Sequence, residues 1–444
     1  MPFQIDATTL AMVISAAIIA HLALIVASRF INAQFILVGA FVAIAPWSAA
    51  TVSGVEGLKY ARLYLSVLAV VVAVLILRRF RMGAAAVFLL TFLTVYWLGA
   101  LWSDNVVNGV IFKGMVMPAA LMGVLCASNF RTERDMFVAV RVWAVFSLLF
   151  VGPAVFELAR SGITLAMGGR FSPFGISNNR MAHECASMLI FCMPIALFDR
   201  NVLWKVFAYG VGTMCAACIL ASGSRAAVLQ AVVAAFLMGL PLIKRPILPL
   251  TLGALSAGIL AWLMPSGSQS AYARLQRGEG AYRGGEWGAA IEEFLRSPFI
   301  GVGWAYTEES RAGGTTVNFH SIYFQILAEL GLLGVAMFTT LMAVLGWSYF
   351  SLWWLARQYQ ARTRWIFVGL AFVAAPLAHG IGEASTMMPG TINLMMLGLG
   401  FAMTGPLRDM VMNGELAHPD HTEELAYGEE YAEYEAYERD VRAA

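Results

Sequence analysis

The sequence predicts an all-α polytopic membrane protein with about 12–13 transmembrane helices and one long outward loop that carries short amphipathic helices. Three observations predict it. First, 60% of the 444 residues are hydrophobic and 13% are charged, against roughly a quarter charged in a soluble domain. Second, apolar stretches of spanning length recur near 10–28, 33–50, 62–77, 83–103, 107–127, 136–157, 180–198, 204–221, 226–243, 247–264, 321–355, 365–385 and 389–404. Third, the short loops between them alternate in charge. RRFR (78–81), RTER (131–134), DRNVLWK (199–205), KR (244–245) and RQYQARTR (357–364) fall on one side if every segment crosses. Positive loops stay in the cytoplasm, so the N-terminus and the opposite loops, near 50–61, 104–107, 158–179, 222–225, 265–319 and 386–388, are expected to face outward. The opening MPFQIDATTL lacks the basic region of a cleavable signal peptide.

These segments divide into N-terminal helices over 1–157, a membrane core over 158–404, and a tail over 405–444 that reads as acidic, cytoplasmic and disordered. From Glu415 onward the tail holds ten acidic and two basic side chains. Without them 27 basic residues face 17 acidic ones, a balance that suits anionic lipids or an anionic substrate. The five cysteines lie in apolar stretches, and CAAC (215–218) reads as two residues sharing a helix face, not as a redox pair.

The loop over 265–319 is the longest, and loops of that length are usually functional or disordered. Within it, Trp287, Ile291, Phe294 and Leu295 recur at helical spacing, with Glu286, Glu292, Glu293 and Arg296 off that stripe. The pattern predicts a short amphipathic helix on the outer membrane surface or over a cavity mouth, ended by Pro298.

Ionisable groups at membrane depth are costly and face a cavity or a partner. Arg170 lies in GGRFSPFGISNNR, whose glycines and proline favour turns. Arg225 lies in ASGSRAA, a short polar break at the start of a helix. A helix N-terminus favours anions, and a guanidinium offers a fork that fits phosphate oxygens. The alternative for Arg225 is snorkelling to lipid phosphate. His320 opens the segment after the long loop, where an imidazole suits a general base or a hydrogen-bond orienter. Glu329, nine residues on, reads as a buried partner or a capping contact near the same face. His379 and Glu383, four apart on one helix face, read as a hydrogen-bonded structural pair, with a substrate contact as the alternative, and His183 and Glu184, being adjacent, as diverging. There is no Walker loop, HExxH or G-x-S-x-G elbow, and no divalent metal is suggested.

In order, GRFSPFGISNN, SGSRAA, RGGEWGAAIEEFLRSPFIGVG and HSIYFQILAELGLLG resemble the O-antigen ligase and Wzy-type polymerase superfamily. The most specific part is His320-Ser321, nine residues, then Gly331-Leu332-Leu333-Gly334. The resemblance covers about residues 160–345 and implies a GT-C-like bacterial inner-membrane glycosyltransferase with its active site facing the periplasm. It implies no metal, cofactor or nucleotide sugar, and as partners an undecaprenyl-diphosphate-linked glycan, a glycan or lipid acceptor and membrane lipids, but no nucleic acid. A chain-length regulator or other export-pathway proteins also fit it. By resemblance His320 matches the histidine that activates or orients the acceptor hydroxyl. Arg170 and Arg225 match the diphosphate-holding positions, and Arg283 matches a loop arginine. The ligases commonly keep both termini inside, whereas the segments here put the N-terminus outside. Ligase and polymerase are not separated by these motifs, although HS…GLLG leans to ligase. A transporter of lipid-linked glycans would predict paired broken helices in an internal repeat, and none is evident.

Overall fold

The computed structural model describes residues 32–48, 58–76, 82–103, 106–160, 171–243, 280–303, 319–383 and 391–417. Those residues form helices joined by turns, with one isolated antiparallel bridge, Ala361 to Ala417. The helices are α1 (Ala33–Trp47), α2 (Leu58–Ile76), α3 (Ala84–Leu98), α4 (Val106–Gly114), α5 (Met117–Ala127), α6 (Glu133–Arg160) and α7 (Asn178–Phe198). They continue as α8 (Val202–Ser222), α9 (Arg225–Gly239), α10 (Gly280–Arg296), α11 (Ile322–Gln358), α12 (Arg364–His379) and α13 (Ile392–Met412). Among the described residues six helices, counting the 3-10 turns that extend α3 and α9, are long and apolar enough to cross a membrane. The chain is an all-α, multi-pass membrane protein. The segments expected near 10–28 and 247–264 lie outside the described residues.

Several segments differ from expectation, two of them inside the bundle's sequence order and at its C-terminal end. The stretch 107–127 is two helices, α4 and α5, parted at Met115–Val116 where Pro118 opens α5. A proline is tolerated in a helix's first turn but cannot continue the preceding one. At its other end α13 runs on to Met412, past the apolar limit near 404, and Arg362 N–H donates to the Leu416 carbonyl at 2.7 Å.

The turns sort into two ends. At one, Arg141 forks onto Asp199 (2.8 Å), Glu133 meets Arg362 (3.2 Å) and Arg364, and Trp365 Nε1–H donates to Glu133 (2.8 Å). Burial raises the Asp199 pKa, but the Arg141 hydrogen bonds and nearby amides lower it more, leaving the carboxyl below its usual range. These contacts bring RTER, DRNVLWK and RQYQARTR together, as the charge alternation predicts. The opposite end gathers Ser48, Phe171, Asn179, the 222–225 turn, Ile300, His320 and Glu383.

Between the ends, packing is close and mostly apolar, and some large side chains face outward, such as Phe156 (70% exposed). The tightest seam joins α5 to α13. A Cβ on Gly398 would lie 2.2 Å from the Ala120 carbonyl oxygen, and one on Gly123 would lie 2.1 Å from that of Met395. Small residues let membrane helices approach this closely. We expect Gly398→Val to force the two helices apart and destabilise the fold by about 1–3 kcal/mol, the usual cost of overpacking. A drop in the thermal unfolding midpoint in detergent, measured against wild type, checks it.

Candidate active site

His320 sits in a tight turn fixed from both sides. Before it, Phe319 is buried with Ala290 of α10 and Ala328 of α11. After it, Ile322 N–H donates to the Gly380 carbonyl at 3.0 Å, and the Ile322 side chain covers Gly380 so closely that a Cβ there would lie 2.6 Å from it. The anchors hold His320 at φ 46°, a left-handed conformation uncommon for a non-glycine residue and found disproportionately at functional sites. Its Nδ1 lies 3.4 Å from Glu383 Oε2. The imidazole is 30% exposed and the carboxylate 8%, so the ring is open to solvent while its partner is enclosed. Glu383 Oε1 accepts from Asn179 Nδ2 at 2.5 Å.

Arg225 is the first residue of α9 and is exposed. Gly223, at φ 64°, ends α8 in the left-handed conformation that spares a Cβ clash, and Ser224 precedes α9 without a side-chain cap. The first-turn amides and the guanidinium therefore stand at one helix N-terminus, which favours an anion. The two sites are connected through GRFSPFGISNN. Phe171 N–H donates to the Ala221 carbonyl (3.1 Å), and Asn178 Nδ2 donates to the Phe171 carbonyl (2.9 Å). The next residue, Asn179, holds Glu383. A positive φ at Phe174 (57°) and at Gly175 (69°) makes the sharp turn this path requires.

Arg170 immediately precedes Phe171 but lies outside the described residues. Arg283 falls on helix α10, and its side chain is likewise outside them. The amphipathic helix predicted around Trp287 is present as α10. It docks on the first turns of α11, with Trp287 stacked on Phe324 at 5.0 Å. Its inner face is Trp287, Ala290 and Phe294, while Ile291 and Leu295 remain exposed. Trp287 of the predicted stripe therefore packs against α11, Ala290 carries the close contact, and Ile291 and Leu295 face outward.

Several pairings are corrected. Helix α12 ends at His379, so Glu383 is not one helical turn along from it. Glu383 instead reaches His320 and Asn179, and His379 lies against His183, with ring centroids 5.2 Å apart. His183 Nδ1 faces the Asn179 carbonyl (3.1 Å), and its Nε2 lies 3.4 Å from Glu184 Oε1, so these neighbours converge. Glu184 also accepts from Ile392 N–H (3.3 Å) at the start of α13.

Glu329 does not serve His320. It pairs with Lys113 of α4 at 2.8 Å, both side chains essentially inaccessible. Lys113 also lies over the Tyr96 ring (4.1 Å), and Gln325 Nε2 bridges Tyr96 (3.0 Å) and Glu329 (3.1 Å). A single lysine in an apolar run, its partner far along the chain, leaves no local pattern to read.

Helix α11 breaks at Gly331 (φ 60°, ψ −151°). The freed amides of Leu332 and Leu333 donate to the carbonyls of Pro298 (2.8 Å) and Phe299 (3.0 Å). The freed carbonyls of Ala328 and Glu329 accept from Val302 (2.9 Å) and Gly303 (3.0 Å). The stretch SPFIGVG thus clasps the break and fixes the end of α10 beside the His320 helix. Trp102 Nε1–H, donating to the Ile300 carbonyl at 3.2 Å, ties in the α3 end.

Residues 210–339 match the family model described as O-Antigen ligase. The matched stretch contains the Arg225 turn, α10, the clasp, His320 and Gly331–Gly334. It supports the O-antigen ligase and Wzy superfamily and a ligase or polymerase type of function in polysaccharide biosynthesis. No curated protein matches the chain.

Proposed function

We propose that the protein is a metal-independent, inverting glycosyltransferase of the ligase type. It would move a glycan from undecaprenyl diphosphate to a lipid A core or similar acceptor at the periplasmic face of the bacterial inner membrane. The observation that carries this reading is the hydrogen-bonded path through Phe171, Asn178 and Asn179, which fixes the Arg225 turn relative to the His320–Glu383 pair.

Arg225, the α9 N-terminus and Arg170 would hold the diphosphate, and the resemblance adds Arg283 to that set. The acceptor hydroxyl oxygen attacks the anomeric carbon, and the bond from that carbon to the diphosphate oxygen breaks with its electron pair. The guanidinium groups stabilise the charge that develops there. The hydroxyl proton passes to His320 Nε2. Attack opposite the leaving group inverts the anomeric carbon.

The test is transfer by the purified full chain from a labelled undecaprenyl-diphosphate repeat unit, with and without lipid A core. One discrete shifted product, made only with acceptor, supports the ligase. A ladder made without acceptor identifies a polymerase instead. Intact, bound donor with no product rejects transfer and favours a transporter. We expect Arg225→Ala to lower transfer on the order of 100-fold, as loss of one charge-stabilising donor does. Wild-type rates in that variant remove Arg225 from the site.

A further inference from the structure

We propose that Arg180 is a further substrate-binding residue, a guanidinium without a counter-charge among the described residues that takes a phosphate oxygen of the lipid diphosphate. The assignment rests on the transfer reading above. Arg180 follows Asn179 in the first turn of α7 and is half-buried. Its Nη2–H donates to Ser48 Oγ at 3.2 Å, the one hydrogen bond that the side chain makes among the described residues. The Nε–H is enclosed and meets no acceptor there. No described carboxylate forms an ion pair with it. Glu184, one turn along α7, acts on it through space, but the Glu184 oxygens face Ile392 N–H (3.3 Å) and His183 Nε2 (3.4 Å).

A guanidinium stays charged at any working pH, so Arg180 cannot relieve its enclosure by losing a proton. Enclosed charges are ordinarily paired, because desolvation is costly otherwise. The opposite end of the bundle obeys that rule, where Arg141 has Asp199 and where Arg362 and Arg364 share Glu133. Arg180 has a serine hydroxyl instead, and a planar fork of donors that matches phosphate oxygens.

The position is built rather than incidental. Ser48 Oγ–H donates to the Ala45 carbonyl at 2.6 Å, which leaves an oxygen lone pair for the guanidinium. Beside it Trp47 packs on Phe174 (ring centroids 4.7 Å) and on Phe150 (5.5 Å), so the end of α1 and the GRFSPFGISNN turn form one wall. Asn178 Nδ2, donating to the Phe171 carbonyl, closes that turn, and Asn179 reaches Glu383, the neighbour of His320. An arginine snorkelling to lipid headgroups extends its charged end into water, whereas this one is tethered across to α1 with its Nε covered. The diphosphate is charged before the anomeric bond breaks, so Arg180 grips the donor in ground and transition states alike. Its loss should therefore appear in KM more than in kcat.

The experiment compares the full-length protein with Arg180→Met and with Arg180→Lys, which keeps the charge, loses the fork, and serves alone if the methionine protein fails to fold. Thermal midpoints in detergent are read without ligand and with undecaprenyl diphosphate, undecaprenol or phosphatidylglycerol, and kcat and KM are read for the lipid-linked glycan. Without ligand, Arg180→Met should match or exceed the wild-type midpoint, since it removes an unneutralised charge. Binding of undecaprenyl diphosphate should weaken by about 10- to 100-fold, the loss of a charge-assisted hydrogen bond, and its stabilising shift should shrink accordingly. KM should rise by a similar factor with kcat little changed, and Arg180→Lys should fall between. The response to undecaprenol, which lacks phosphate, should be the same in all three proteins. Wild-type affinity and KM in both variants, whatever their midpoints, would overturn the proposal and leave the transfer reading standing. A loss confined to phosphatidylglycerol makes Arg180 a contact of the surrounding lipid and overturns it equally. A wild-type protein that forms no product and gains no stability from undecaprenyl diphosphate would instead reject the transfer reading.

Discussion

Lys113→Ala is expected to destabilise the protein by about 3–5 kcal/mol, the cost of breaking a buried ion pair and leaving one charge behind. Lys113 Nζ lies 2.8 Å from Glu329 Oε2, with side-chain exposures of 0% and 1%. Enclosed to this degree, the carboxylate would stay desolvated once the ammonium is gone. Gln325 satisfies only Oε1, and the Tyr96 ring would present its negative face to an empty site. The damage should spread, because the Glu329 carbonyl also receives Gly303 N–H from the clasp. Thermal midpoints in detergent give the measurement. The control is Lys113→Met with Glu329→Gln, which removes both charges and keeps the volume. It should recover most of the loss, since replacing a buried pair is often close to neutral where breaking it is not. A single variant as stable as wild type would mean that the pair contributes nothing to the fold.

Why the sequence reveals some of this architecture and hides the rest follows from the range of each signal. The spans and their alternation depend on apolar length and on loop charge, both local, so the end that joins Glu133, Asp199 and Arg362 could be anticipated. The Arg225 turn was legible for the same reason, since ASGSR places a left-handed glycine beside a helix start. His320 stood out as a polar residue at a helix entrance. Its partner did not, because the four-residue spacing of Glu383 from His379 suggested a shared helix face, and only the end of α12 at His379 shows otherwise. Lys113 and Glu329 are separated by most of the core, and nothing near either one names the other. The apolar stripe of α10 was legible, but the contact of Ala290 with Phe319 and Ala328 was not, because a small residue gives no signal in a hydrophobicity pattern. The GRFSPFGISNN segment was recognised by its residues, but its task of joining Arg225 to His320 is carried by the Phe171 backbone and two asparagine amides.

The second large effect is expected at Gly331, where Gly331→Ala should open the clasp. At φ 60° and ψ −151° the backbone occupies a region essentially restricted to glycine, and forcing another residue into it costs roughly 1–3 kcal/mol. Space makes the substitution worse. An added Cβ would lie 2.6 Å from Gly301 N and 2.7 Å from the Pro298 carbonyl oxygen, and neither backbone atom can swing aside as a side chain could. Moving them breaks the four hydrogen bonds that pair 298–303 with 328–333. Each group left buried and unpaired adds roughly 1–3 kcal/mol. The helix could escape by becoming continuous through residue 331, but that would turn α10 away from the His320 helix and carry Trp287 off Phe324. Loss of stability should therefore come with loss of transfer, and residues 297–303 should become open to proteolysis. Gly346→Ala is the matched comparison, the same change in the same helix with nothing within 4 Å of the new Cβ. There the gain in helix propensity, up to about 1 kcal/mol, should leave stability unchanged or raised. If both alanine variants behave alike, the break at Gly331 is not held by the clasp.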